Sequence, residues 1–237
     1  MKTNLPSITA PVYRDVLPSN EQEFTYRPFL VREEKLLQLI KDDGDLKQIY
    51  LSLQQLIKNC TGLNVDTLSV FDIEYIFLNI RAKSVGEVSK LRLLCPDDNK
   101  TYADVELDLN EVRVQVGEDH TNKIELDNGM GMIMQYPTID SFRDSGIRNI
   151  TADNMLDVIG SCILQIYEDE GKKVYDPKDQ TKKEVIEFIE QLNTKQFKKV
   201  QNFFDTMPKL KHEIKVKNPK TKKESSITLT GLNDFFG

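Results

Sequence analysis

Tryptophan is absent from this chain of 237 residues, histidine occurs only twice and cysteine only three times. Each scarcity closes off a class of function. Tryptophan is missing, and the chain shows no stacking platform of the kind that single-stranded nucleic acid needs. Cys60, Cys95 and Cys162 are odd in number, far apart and in no CxxC spacing, which argues against a disulfide framework and against zinc. Cys60 and Cys162 fall in apolar helical settings and read as buried thiols. His120 and His212 have no second ligand at metal spacing and no nucleophile motif beside them. Both read as exposed turn residues.

Other signatures are missing too. No apolar run approaches the ~20 residues needed to span a bilayer, and residues 1–7 hold no apolar signal core. There is no P-loop and no GxGxxG. Gly129-Met130-Gly131 precedes a strand instead of a helix, so it presents no helix N-terminus to phosphate. Asp97-Asp98-Asn99 lacks the length and the terminal glutamate of an EF-hand. Asp15, Asp72, Glu74 and Asp108 show no catalytic arrangement. The expectation is a protein that is not an enzyme and takes no cofactor and no metal.

What the chain does contain is ordinary for a soluble protein: 39% apolar and 30% charged residues, enough for one large or two small domains. A net charge of −6 and a pI near 5.2 argue against general nucleic-acid binding. The charge is uneven. Lys209, Lys211, Lys215, Lys217, Lys220, Lys222 and Lys223 crowd one stretch. They read first as a solvated hairpin whose lysines discourage edge pairing, with an acidic partner site as the competing reading.

Along the chain, Val12, Arg14 and Val16 and then residues 23–27 flank the turn cluster Pro18-Ser19-Asn20, which predicts a hairpin. Leu30, Leu36, Leu37, Leu39 and Ile40 predict a helix stopped by Gly44. A second helix runs over 46–59 and closes at Gly62, and Asp66 is the expected cap of a third. After Ser84-Val85-Gly86 the apolar period falls from about 3.6 to 2, and short strands follow as far as Pro137. Helix returns over 139–144 and 152–168, the latter capped by Thr151. A short extended link leads to a helix over 182–192, opened by a Thr181 and Glu184 capping box, and to a last helix over 195–206. Residues 214–216 and 227–229 pair as a closing hairpin. The expected fold is α+β: a helical core interrupted by an antiparallel β insert, with N- and C-terminal β-hairpins. The segments are 1–87 (hairpin plus three helices), 88–137 (the β insert), 138–208 (helical) and 209–237 (lysine-rich hairpin and apolar tail).

Residues 71–87 are the most informative. Phe71, Ile73, Tyr75, Ile76, Phe77, Leu78 and Ile80 make this helix apolar nearly all round, so it must be covered on most sides. Asp72, Glu74 and Arg81 lie within it and are costly there unless paired or bound. The segment reads as a central helix with charges at its rim or as a contact surface for another chain. Leu229, Leu232, Phe235 and Phe236 raise the same question at the C-terminus, where apolar side chains must dock on the protein's own last helix or on a partner. Arg27 and Phe29 straddle Pro28 at a rigid corner.

The 71–87 segment is similar to the signature of the T-even-type phage baseplate hub assembly family. Leu-Pro-Ser near the N-terminus, followed by Phe24-Thr25-Tyr26-Arg27-Pro28-Phe29-Leu30-Val31-Arg32-Glu33-Glu34-Lys35-Leu36-Leu37, resembles that family's opening. Leu229-Thr230-Gly231-Leu232-Asn233-Asp234-Phe235-Phe236 resembles its closing. The resemblance spans about 11–237. It implies a baseplate protein made late in infection that works by non-covalent partner binding, in the host cytoplasm during assembly and in the virion tail baseplate if it is retained. The implied partners are other baseplate hub or tail tape-measure proteins. An assembly chaperone is the first reading, a permanent hub subunit the second and a hub-processing hydrolase the third. Family relatives can carry cysteine pairs in the C-terminal hairpin; here residues 218–223 fill the turn without them. The candidate partner-binding residues are Arg27, Phe29, Asp72, Glu74, Tyr75, Phe77, Arg81, Leu229, Leu232, Phe235 and Phe236.

Overall fold

The structure, a computed structural model, describes residues 9–35, 46–139, 154–168 and 171–236. Residues 31–35 are helical, and the rest of the helix expected over 30–40, its stop at Gly44, residues 140–144 of the helix expected over 139–144 and the Thr151 cap lie outside the described residues. The class is α+β, with small antiparallel sheets around a helical centre.

The N-terminal hairpin is present as β1 (Tyr13–Val16) and β2 (Glu23–Tyr26). Its inner face is aromatic, with Tyr13 stacked on Tyr26 at 5.5 Å. After α1 (Leu46–Thr61), a 3₁₀ turn over Val65–Thr67 takes its cap from Asn64. The central helix, α2 (Val70–Val85), takes its cap from Ser69. Asp66, the expected cap, lies inside the 3₁₀ turn. Leu68 and Ser69 are extended, so the helical phase restarts three residues later than the sequence suggests. Gly86 ends α2 at φ 138°, which favours glycine.

The strands of 88–137 are antiparallel, but three sheets share them. β3 (Val88–Leu94) pairs only with β4 (Tyr102–Asp108). β5 (Arg113–Gln115) adds to the C-terminal hairpin of β10 (Lys209–Lys217) and β11 (Glu224–Thr230), in the order β11-β10-β5. β6 (Lys123–Glu125) and β7 (Gly131–Met134) join β8 (Ile163–Glu168) and β9 (Lys173–Tyr175) in the order β6-β7-β8-β9.

This last sheet corrects the helix expected over 152–168. The helix α3 (Met155–Ser161) stops early, and residues 163–168 are a strand. The run Ile163-Leu164-Gln165-Ile166-Tyr167-Glu168 is β-branched and aromatic enough to satisfy either period. Pairing with β7 decides it, placing Ile166 opposite Met132 and Tyr167 opposite Gly131. The Tyr167 ring lies over Gly131 so closely that a Cβ there would come within 2.2 Å of the hydroxyl oxygen. The link expected over 172–176 contains β9, which extends the same sheet.

The capping box of Thr181 and Glu184 opens α4 (Lys182–Glu190), and a second box, Asn193 with Gln196, opens α5 (Thr194–Thr206). The chain ends in a short helix, α6 (Gly231–Phe236). One core lies between the N-terminal hairpin, α1 and α2. A second lies between the β6–β9 sheet and the helices α3, α4 and α5. A third lies under β3–β4 and β5–β10–β11, against α2 and α6. The central helix serves all three. Ile73, Ile76, Phe77 and Ile80 enter the first, Tyr75, Leu78 and Ala82 the third. Phe71 meets Tyr136 of the second edge-on at 5.1 Å.

Candidate partner-binding residues and the central clasp

Two acids within α2, Asp72 and Glu74, hold the N-terminal hairpin and the C-terminal segment respectively. Asp72 is 1% exposed. One carboxylate oxygen accepts from the Ser19 backbone N–H at 3.0 Å, and the other from the Ser69 hydroxyl at 2.5 Å. It thereby ties the turn of the N-terminal hairpin to the start of the helix. Three residues on, the Tyr75 hydroxyl donates to Asp15 of β1 at 2.9 Å. Glu74 faces the other end. It is half-buried beneath α6, where the Leu232 N–H donates to it, yet burial dominates and pushes its carboxyl up to about 7. Gly231, at φ 73°, brings the backbone over it: a Cβ there would sit 3.4 Å from Glu74 Oε1. Arg81 is half-buried near the end of the helix, where burial works against its charge.

Arg27 and Glu33 form a second lock. The guanidinium meets the Glu33 carboxylate at 3.0 and 3.3 Å and also donates to the Pro28 and Asn59 carbonyls. Glu33 is fully buried. Burial raises its pKa, but donors from Arg27, the Leu30 N–H and Arg32 outweigh this and hold the carboxyl down to about 2. A fork of donors matched to a carboxylate is the strongest ordinary ion-pair geometry. Phe29 packs on the first core, and its N–H donates to the Ser84 hydroxyl at 2.9 Å.

The apolar tail docks within the chain. Leu229 is 2% exposed and Phe235 is fully buried, both in the third core with Leu78 and Leu107. Leu232 is half-buried and touches both the first and third cores. The Ser89 hydroxyl donates to the Phe235 carbonyl at 2.8 Å. The tail therefore packs on α2 and β3, not on the last long helix. The Phe236 side chain lies outside the described residues. Phe77 is buried in the first core. The described candidates thus do not make one surface patch. Their apolar members divide between two cores, Phe29 and Phe77 with the first and Tyr75, Leu229 and Phe235 with the third, and Leu232 touches both.

Neither histidine is an exposed turn residue. His212 lies half-buried on β10 opposite Leu229, between outward-facing neighbours. The His120 ring stacks on Tyr136 at 5.8 Å and packs against Phe203 at 5.4 Å. The Thr206 hydroxyl donates to the Asn202 carbonyl, so it accepts from His120 Nδ1–H at 2.9 Å. Nε2 then accepts from the Tyr136 hydroxyl at 3.1 Å. That assignment is a neutral imidazole, and burial lowers its pKa. Sequence spacing gave no hint of this cluster, because its members lie up to 86 residues apart. The three cysteines are buried and free, and burial pushes Cys60 up to about 11 and Cys162 to about 12. Such thiols are poor nucleophiles at neutral pH. Among the described residues, no group of three His, Cys, Asp or Glu side chains is placed to hold a metal ion, and no helix is long and apolar enough to cross a membrane.

Fold and site define a mixed α+β protein whose two ends are clasped onto one central helix. Residues 10–237 match the family model described as T4 bacteriophage base plate protein, and the chain belongs to that family. It is a phage baseplate protein. Comparison with curated proteins and with solved structures returned no match.

Proposed function

We propose that this chain acts in building the baseplate hub, without covalent chemistry, as an assembly chaperone that holds a hub or tape-measure protein. The supporting observation is how its exposed apolar side chains are distributed. Among the described residues Leu30 and Val31, and Val174 and Tyr175, are neighbours in the chain, Leu94 faces Tyr102 across the β3–β4 ladder, and Val12, Val16, Leu51, Val85, Val88, Val116 and Leu164 are spread along the sequence. Permanent interfaces are larger and more apolar, whereas small apolar groups within a polar surface suit short-lived engagement.

The test compares tagged protein in infected-cell lysate with tagged protein in purified particles and identifies what co-purifies. Abundance in assembly intermediates with loss from finished particles is the expected result. Retention at fixed stoichiometry in particles would make the chain a permanent subunit. Recovery of the protein alone at every stage would remove the assembly role.

A further inference from the structure

Two sheets close over the third core, and their outer faces are built by different rules. On β3–β4 the outward cations face acids across the ladder: Lys90 opposite Glu106 and Arg92 opposite Asp104. Lys90 Nζ lies 3.7 Å from the Glu106 carboxylate. On β5–β10–β11 the rule fails. Lys211 sits directly opposite Arg113 on one side and Thr230 on the other, and Lys215 sits opposite Ser226. All of these side chains are exposed. Lys217 faces Glu224, yet among the described residues neither Lys211, Lys215 nor Lys217 has a carboxylate within 4 Å. Like charges directly opposite each other weaken a sheet. The chain carries a net −6, so acids are not scarce elsewhere in it. A local conflict that costs stability marks a site shaped by something other than folding.

We propose that the outer face of β5–β10–β11 docks an acidic segment of a partner protein. This rests on the proposed function and adds to it the surface and the partner's chemistry. Outward side chains along β10 repeat every second residue, ~6.7 Å apart, which matches the alternating carboxylates of an extended acidic strand. The hydroxyls of Ser226, Thr228 and Thr230 add neutral donors beside the cations. Glu213 lies in the middle of the face opposite Thr228. A carboxylate there repels a continuous phosphate backbone but tolerates a polypeptide that carries a donor at that point. Charge complementarity of this kind governs encounter and register more than raw affinity.

The experiment uses the full chain with an oligo-glutamate peptide and a DNA duplex as probes, read by fluorescence anisotropy and by amide NMR shifts. The expected result is saturable, salt-sensitive peptide binding with shifts confined to β10, β11 and Arg113. Lys211→Thr should weaken that binding about tenfold while leaving Tm unchanged or raised, because it removes the clash with Arg113. Lys90→Thr on the other sheet should leave binding intact. Equal losses in both variants, or shifts scattered to Lys123 and Lys182, would reduce the effect to general charge attraction and overturn the proposal. Tighter duplex binding on the same face would assign it to nucleic acid, and self-association abolished by Lys211→Thr would assign it to a second copy. Either outcome overturns the acidic protein partner. If a Lys211→Thr and Lys215→Thr variant joins baseplate intermediates as well as wild type does, the face is unused although the proposed function stands. If wild type does not join them, the proposed function itself falls.

Discussion

Asp72 and Glu74 are two residues apart on one helix, yet they hold opposite ends of the chain. Glu74 sits at a cost, since burial raises its carboxyl from 4.5 to about 7. The folded state thus favours the protonated form. Its contribution to stability is complete below about 4.5 and is lost as pH rises through about 7. Glu74→Gln keeps an acceptor for the Leu232 N–H and removes that dependence. The variant should match wild type near pH 4.5 and exceed it above pH 7 by up to about 3 kcal/mol. Chemical denaturation at several pH values is the check, and parallel pH profiles for the two proteins would refute it. Glu33 works in the other direction. Its pKa is held near 2, so the stability it adds is present above about 4.5 and is lost as pH falls toward 2. Both roles depend on which backbone and side-chain groups converge: the apolar setting of Glu74 marked it as costly in the sequence without showing what covers it, and nothing around Glu33 in the sequence marked it as buried.

Elements whose signals are local were legible. The hairpin turn at Pro18-Ser19-Asn20 and the Thr181 and Glu184 capping box needed no distant partner, and both appear where expected. Residues 163–168 were not legible, because their apolar pattern suits helix and strand alike until β7 offers an edge to pair with. The tail shows the same dependence. Its apolar character was plain, but its destination, α2 and β3, was not. Phe235→Ala should cost about 3–5 kcal/mol as a cavity forms in the third core. Removal of residues 232–237 should uncover apolar surface and raise binding of a hydrophobic dye. A melting temperature unchanged in both would contradict the packing of α6.

At the scale of the molecule, α2 belongs to all three cores, so the cores should lose their structure together. Native-state hydrogen exchange should be slowest at the amides around Ile76–Ile80, and thermal unfolding should show one transition by far-UV and near-UV signals. Separate transitions for the β6–β9 region and the rest would show that the Phe71–Tyr136 contact does not couple them. The sequence by itself determined the class of the fold, the central place of residues 71–87 and the two closing hairpins, because apolar period, turn chemistry and caps act over a few residues. It also carried the family signature. Only the tertiary structure decided that Asp72 and Glu74 of the central helix hold the N-terminal hairpin and the C-terminal segment, that His120 is stacked in a neutral cluster, and that Lys211 faces Arg113. Each of those depends on groups brought together from distant parts of the chain, and spacing along a sequence carries no record of such contacts.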